Sequence, residues 1–174
     1  RMGTAIPKQY LELRCKTVLE YSLARIIGHP RIAATVLVIA AADVHWPRLA
    51  GNFADQALLI AHGGVERSHS VLNGLHALAE HASPQDWVLV HDAARPCVRR
   101  QDIDTLLDRL LDHPVGGLLG IPVADTMKRT DHTGNIIATV QREGLWRALT
   151  PQMFRYGMLA QALPAALNKG ETVT

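Results

Sequence analysis

The segment Trp87–Val98, WVLVHDAARPCV, constrains this chain more than any other. Trp87, Val88, Leu89 and Val90 form an apolar run without alternation, the pattern of a strand buried on both faces of a parallel sheet. The run stops at His91 and Asp92 and gives way to Ala93, Ala94, Arg95 and Pro96. A carboxylate at the carboxyl end of a buried strand stands where open α/β sheets bind their ligands. Ala93 and Ala94 let backbone and ligand approach closely. Arg95 brings a fixed charge and a fork of donors suited to phosphate, and Pro96 holds Arg95 extended. The plainer reading is a strand end with a helix-capping Asp92 and a surface arginine, and the rest of the chain decides between them.

The 174 residues fit one domain with a proper core, and 48% hydrophobic against 20% charged content makes it globular. Eighteen Lys and Arg oppose 16 Asp and Glu for a net charge of +2, too balanced for a nucleic-acid-binding surface, so basic chemistry must be local. Cys15 and Cys97 have neither metal nor disulfide spacing and suit a reducing cytoplasm. No apolar run approaches the roughly 20 residues of a membrane span. Both ends read as cut. Arg1–Lys8 is a loop, and Gly170–Thr174 starts as a strand and stops, so a first strand before residue 1 and further chain after residue 174 are expected.

In order, Arg1 and Lys8 flank Gly3 and Pro7 with no acid among them, either an anion cradle or a basic terminus. Residues 17–27 carry apolar positions at helical spacing behind a Thr17/Glu20 capping box, and Gly28 and Pro30 end the helix. Thr35–Ala41 and Ala57–Ile60 read as strands around a short helix at Asp43–Leu49 that carries Trp46. Gly63-Gly64 and a polar run then lead to a helix over residues 71–78. Such a turn presents backbone donors to an anion or a base edge, with one of Ser68 and Ser70 capping the helix and the other free for a ligand. His62, His69, His76 and His81 lack the spacing of a metal set.

Gln101–His113 is an amphipathic helix and Gly116–Ile121 a strand. Residues 122–144 read as a protruding β-hairpin arm around a Thr130–Asn135 turn, too short to bury its own faces and suited to packing on a second subunit. Residues 157–168 form a last helix. Strands alternating with helices predict a three-layer, mostly parallel sheet. Polar residues that break the apolar pattern cluster after the strands: Arg1, Lys8, Gly63–Ser70, Asp92, Arg95, Thr126, Lys128, Arg142, Thr150 and Thr174. Cations outnumber the one acid, Asp92. That suits two phosphorylated ligands and a metal held largely by their phosphates. No GxSxG elbow or GxxxxGK[ST] loop is present, which disfavours hydrolase and P-loop kinase readings.

Five segments, taken together, resemble one family: Arg1-Met2-Gly3 with Pro7-Lys8-Gln9-Tyr10, Gly63-Gly64 with Glu66-Arg67 and Ser70–Gly74, His91–Pro96, Pro122-Val123 with Asp125–Lys128, and Leu145-Trp146 with Thr150-Pro151-Gln152. They look like the 2-C-methyl-D-erythritol 4-phosphate cytidylyltransferases of the non-mevalonate isoprenoid pathway, end to end and in order. Cys15 stands where many members carry Gly, and Val65 where an acid is common.

The resemblance implies a Rossmann-like nucleotidyltransferase sheet with a β-hairpin dimerisation arm. It implies a cytoplasmic homodimer that transfers a cytidylyl group from CTP to methylerythritol phosphate with Mg²⁺. In that reading Arg1, Lys8 and Arg142 are catalytic. Gly3, Gly63, Gly64, Ser70, Asp92 and Ala93 bind the nucleotide. Asp92, Arg95, Thr126, Lys128, Arg142, Thr150 and Thr174 receive the second substrate, and Asp92 is the one metal candidate. Arg142, with Thr126 as a second candidate, would serve the neighbouring subunit. A relative acting on a pentitol phosphate such as ribitol phosphate, and a non-catalytic nucleotide-binding domain, are the competing readings.

Overall fold

In a computed structural model of the chain, residues 6–171 and 173 are described. Arg1, Gly3 and Thr174 lie outside the described residues. A two-stranded hairpin, β1 (Glu12–Leu13) and β2 (Lys16–Thr17), turns through Arg14 at φ +59° and leads into α1 (Val18–Ile27). The capping box is formed as expected: Thr17 Oγ1 accepts the Glu20 amide at 3.2 Å and Glu20 Oε2 accepts the Thr17 amide at 2.7 Å. Helix α1 ends at Gly28.

β3 (Thr35–Ile39) and β4 (Leu58–His62) pair in parallel, from Thr35 opposite Leu58 to Ile39 opposite His62. The helix expected at Asp43–Leu49 is only a short 3₁₀ turn, Trp46–Arg48, followed by another at Ala50–Phe53. Pro47 lies in the first turn of that segment, and Trp46 still turns inward, stacking on Phe53 at 5.9 Å. Then come α2 (Arg67–Ala77), β5 (Trp87–Val90), α3 (Arg100–Leu110) and β6 (Gly116–Pro122). β7 (Met127–Thr130) and β8 (Ile136–Val140) make the arm, and β9 (Trp146–Arg155) runs into α4 (Tyr156–Asn168). Beyond α4 the described residues form no strand, so the strand start read at Gly170–Thr174 does not appear among them.

The chain is α/β, as expected. Among the described residues β3 and β4 pair in parallel, and β5 and β6 run in the same sense with the reversed strand β9 between them, so both pairings of the β5–β9–β6 sheet are antiparallel. β9 causes this. Its ten residues run between β5 and β6 in the opposite sense to both. Pro151 hid it in the sequence, because a proline argues against a central strand. Residues 149–151 fall where neither neighbouring ladder pairs: β5 ends its register at Gln152, and β6 breaks between Leu118 and Gly120. The missing N–H of Pro151 therefore costs no ladder bond. For the same reason Trp87–Val90 is a half-buried strand with an antiparallel neighbour, not one buried on both faces of a parallel sheet.

Two apolar clusters hold the layers. Tyr10, Leu19, Leu23, Leu37 and Trp46 form one, with Ala93 packed against it. Val98, Ile103, Leu106, Leu107 and Met153 form the other, so α3 buries the face its spacing predicts. Each such side chain contributes roughly 1.5–3 kcal/mol on burial. Gly116 belongs to the second region for a backbone reason: its φ is +135°, and a Cβ there would stand 2.2 Å from the Met153 carbonyl oxygen. Arg155 closes the same edge, 3.8 Å over the Trp87 ring, while donating to the carbonyls of Gln85 and Leu111.

The arm is a hairpin, as its sequence predicts. Asp131 Oδ1 accepts from the Thr133 and Asn135 amides at 2.9 Å each, and Gly134 takes φ +92°. Its apolar side chains are turned out: Ile136 is 66% exposed and Ile137 60%.

Candidate nucleotide site

The glycine turn after β4 and the end of β5 meet: Arg67, Ser70, His91, Asp92 and Ala93 line one opening. Its inner walls are the facing edges of β3 and β5, Val36–Val38 and Val88–Val90, which do not pair with each other among the described residues.

Asp92 organises the polar end. Arg67 Nε lies 3.1 Å from its Oδ1 and Arg95 Nε 2.8 Å from its Oδ2. One carboxylate thus holds two guanidinium groups side by side and leaves a net positive charge there. Both arginines spend Nε on Asp92, which leaves their terminal nitrogens as donors to spare for a further acceptor such as a phosphate. Asp92 does not cap a helix; α3 begins eight residues later, at Arg100. Arg67 was not among the expected site residues, although it is the one cation in the Gly63–Ser70 turn.

His91 and Thr150 fix the position of Asp92. The Asp92 amide donates to Thr150 Oγ1 at 3.3 Å, Thr150 Oγ1 is 3.1 Å from His91 Nδ1, and His91 Nε2 is 2.9 Å from the Arg95 carbonyl. A carbonyl only accepts, which assigns the imidazole proton to Nε2 and makes the Thr150 hydroxyl the donor to Nδ1. The expected substrate residue Thr150 is 8% exposed, and its hydroxyl is engaged in this chain of bonds.

Burial pushes the His91 imidazole below its ordinary 6.5, against the opposing pull of the Arg95 carbonyl and the Asp92 charge. The folded chain therefore resists protonation at His91, whereas the unfolded chain takes the proton near 6.5. Stability from this source is complete above that value and declines as pH falls below it. Thermal unfolding followed between about pH 5 and pH 8 is expected to show this decline, and His91→Gln to flatten it. An unchanged slope in the variant contradicts the assignment.

The glycine turn is pinned from within. The Gly64 amide donates to Ser70 Oγ at 3.1 Å and Ser70 Oγ donates to the Glu66 carbonyl at 3.1 Å, while the Gly63 amide reaches the Ile39 carbonyl at 2.7 Å. Helix α2 starts at Arg67, four residues earlier than expected, with Glu66 at its N-cap and no side-chain cap bond. Neither Ser68 nor Ser70 caps it, which corrects that expectation: Ser68 is already helical and buried, and Ser70 braces the turn instead. Gly63, Gly64 and Ser70 thus form one unit beside Asp92.

Lys8 is exposed in a 3₁₀ turn, Lys8–Tyr10, whose Tyr10 belongs to the core cluster that Ala93 packs against. The structure brings Gly63–Ser70, Asp92, Ala93, Arg95 and Thr150 to one region, and Lys8's turn is linked to it through Tyr10, in the core cluster that Ala93 packs against. Thr126, Lys128 and Arg142 stand apart on the arm and its base, all exposed. Lys128 Nζ bonds Thr139 Oγ1 at 2.7 Å and Arg142 Nη1 donates to the Ala124 carbonyl.

A glycine turn, paired arginines and a carboxylate gathered after the strands of an α/β sheet are the parts of a site for a phosphorylated ligand. A solved structure titled 4-diphosphocytidyl-2C-methyl-D-erythritol synthase superposes with a TM-score of 0.85 at 38% identity, covering 96% of this chain and 76% of that one. The 2-C-methyl-D-erythritol 4-phosphate cytidylyltransferase from Thermus thermophilus superposes with a TM-score of 0.77 at 28% identity, covering 97% and 75%. The protein of that name from Hahella chejuensis is 49% identical over 174 residues, all of this chain and 72% of that protein. The Pseudomonas putida protein is 51% identical over 175 residues, all of this chain and 74% of that protein. The family profile for 2-C-methyl-D-erythritol 4-phosphate cytidylyltransferase matches residues 1–174. The chain belongs to the 2-C-methyl-D-erythritol 4-phosphate cytidylyltransferase family.

Proposed function

We propose that this chain carries its family's reaction, cytidylyl transfer from CTP to 2-C-methyl-D-erythritol 4-phosphate in isoprenoid precursor biosynthesis. A phosphate oxygen of the alcohol phosphate attacks the α-phosphorus of CTP. A new P–O bond forms, the bond from that phosphorus to the bridging oxygen breaks, and pyrophosphate leaves with the electron pair. The observation that carries this reading is the Arg67–Asp92–Arg95 arrangement beyond the end of β5. Such chemistry needs positioning and charge stabilisation more than a protein nucleophile.

In this reading Gly63, Gly64, Ser70, Asp92 and Ala93 receive the nucleotide, and Lys8 neutralises charge that grows at the α-phosphate and leaving group. Arg1 would share the role of Lys8, and Gly3 that of the glycine turn. Arg95, Thr126, Lys128, Arg142, Thr150 and Thr174 would receive the alcohol phosphate. Among the described residues no three His, Cys, Asp or Glu side chains gather as a metal cage. One carboxylate plus substrate phosphates is an ordinary donor set for Mg²⁺. Asp92 is the carboxylate that would hold the ion, and what the ion would supply there is charge neutralisation of the triphosphate. Exposed, free Cys15 and Cys97 suit a cytoplasmic setting, and no helix among the described residues is long and apolar enough to cross a membrane.

Pyrophosphate release by the full-length protein, measured across four nucleoside triphosphates and both methylerythritol and ribitol phosphates, tests the function. The expected result is release with CTP and methylerythritol phosphate at a rate well above every other pair. Equal turnover of ribitol phosphate supports the pentitol reading, and CTP binding without release supports a non-catalytic domain.

The outward apolar face of the arm supports a homodimer in which Arg142 acts in the neighbouring site. Mixing a subunit carrying Arg142→Ala with one carrying Lys8→Ala is then expected to recover a fraction of the activity that each lacks alone. No recovery on mixing contradicts the crossed arm.

A further inference from the structure

Among the described residues of the Lys8–Tyr10 turn, Lys8 is exposed and only Tyr10 is buried, at 6% exposure. The turn is closed by the Tyr10 amide on the Pro7 carbonyl at 2.8 Å and the Leu11 amide on the Lys8 carbonyl at 3.3 Å, so Lys8 moves with Tyr10 as one rigid piece. The Tyr10 hydroxyl donates to Asp43 Oδ2 at 2.8 Å, across 33 residues of sequence. Asp43 is itself fixed, because its Oδ1 accepts the His45 and Trp46 amides at 2.9 Å each. The His45 ring stacks on Tyr10 at 4.8 Å, and Trp46 is buried in the same core cluster. The segment also holds the start of α1, through Asn52 Nδ2 on Glu20 Oε1 at 3.1 Å.

The core would keep a phenyl ring at position 10 by burial alone. The hydroxyl adds orientation: its bond to Asp43 fixes the ring, and Lys8 lies two residues before Tyr10 in the same closed turn. Burial alone would raise the Asp43 carboxyl. The Trp46 amide, the Tyr10 hydroxyl and the His45 amide overcome that and hold it below the ordinary carboxylate range, so it is an ionised acceptor at neutral pH.

We infer that Tyr10 and Asp43 are positioning residues that aim Lys8 at the reacting phosphate, a role that rests on the reading of Lys8 given above. Neither residue touches substrate. Each acts by holding the turn against the Asp43–Trp46 loop. A displacement of about 1 Å in a charge-stabilising group costs rate out of proportion to binding.

The test is a double-mutant cycle on the full-length protein, with Tyr10→Phe made in the wild-type and the Lys8→Ala backgrounds. In the wild-type background kcat is expected to fall about tenfold, with KM for CTP changed less than twofold. In the Lys8→Ala background the same change is expected to alter kcat less than twofold, because the group being aimed is gone. A purely structural role gives the same fractional loss in both backgrounds, and that result overturns the inference, as does an undiminished kcat for Tyr10→Phe. Asp43→Asn, which keeps an acceptor for the two amides but removes the charge facing Tyr10, is carried through the same cycle. Its result decides the matter if Tyr10→Phe unfolds. Undiminished kcat for Lys8→Ala alone shows instead that the reading of Lys8 itself has failed.

Discussion

Lys8→Ala is expected to lower kcat by about 10²–10³ while weakening CTP binding only a few-fold. The expectation comes from where the residue stands. Lys8 is exposed in a turn whose neighbour Tyr10 is anchored in the core, and its ammonium makes no ion pair within the described residues. In the proposed reading a triphosphate at rest already has the glycine turn to hold it, with Arg67 braced there on Asp92. An added cation matters most when negative charge builds on the α-phosphate and the departing pyrophosphate, and that happens only in the transition state. Removing it therefore costs turnover more than affinity. Steady-state kinetics with an independent CTP titration separates the two. Equal losses in both contradict a role confined to the transition state.

Gly64→Ala is expected to cost CTP affinity about 100-fold, with a much smaller change in thermal stability. A Cβ at Gly64 would stand 2.3 Å from the Cβ of His69. His69 lies in the first turn of α2, so that carbon is carried by helical backbone and cannot swing aside as the end of a long side chain could. The turn must move instead, and moving it breaks the Gly64 amide bond to Ser70 Oγ at 3.1 Å. Gly63 gives a useful contrast, since a Cβ there would meet the Ser70 hydroxyl at 2.9 Å, again on the bonds that shape the turn. Affinity by calorimetry and unfolding by circular dichroism give the two numbers. Unchanged CTP affinity in a folded Gly64→Ala protein removes the turn from the binding site.

Much of this is legible in the sequence. The capping box, the amphipathic face of α3 and the arm follow from local rules, because each is decided by residues three to five apart. The strand end at Asp92 was legible because an apolar run stops abruptly on charged residues. What local rules missed was decided by distant partners. Pro151 concealed β9, since only its neighbours' registers reveal that residues 149–151 need no ladder bond. Arg67 looked like one cation in a polar turn until Asp92, 25 residues away, met it. Asp43 gave no signal at all, because its meaning comes from Tyr10, 33 residues away.

The central claim is that separate stretches of this chain build one nucleotide site at one sheet edge. Hydrogen exchange of the full-length protein with and without CTP tests it directly. The account predicts that CTP slows exchange together at residues 8–11, 63–70 and 91–96. Protection confined to one of these stretches, or found around Arg155 instead, contradicts it.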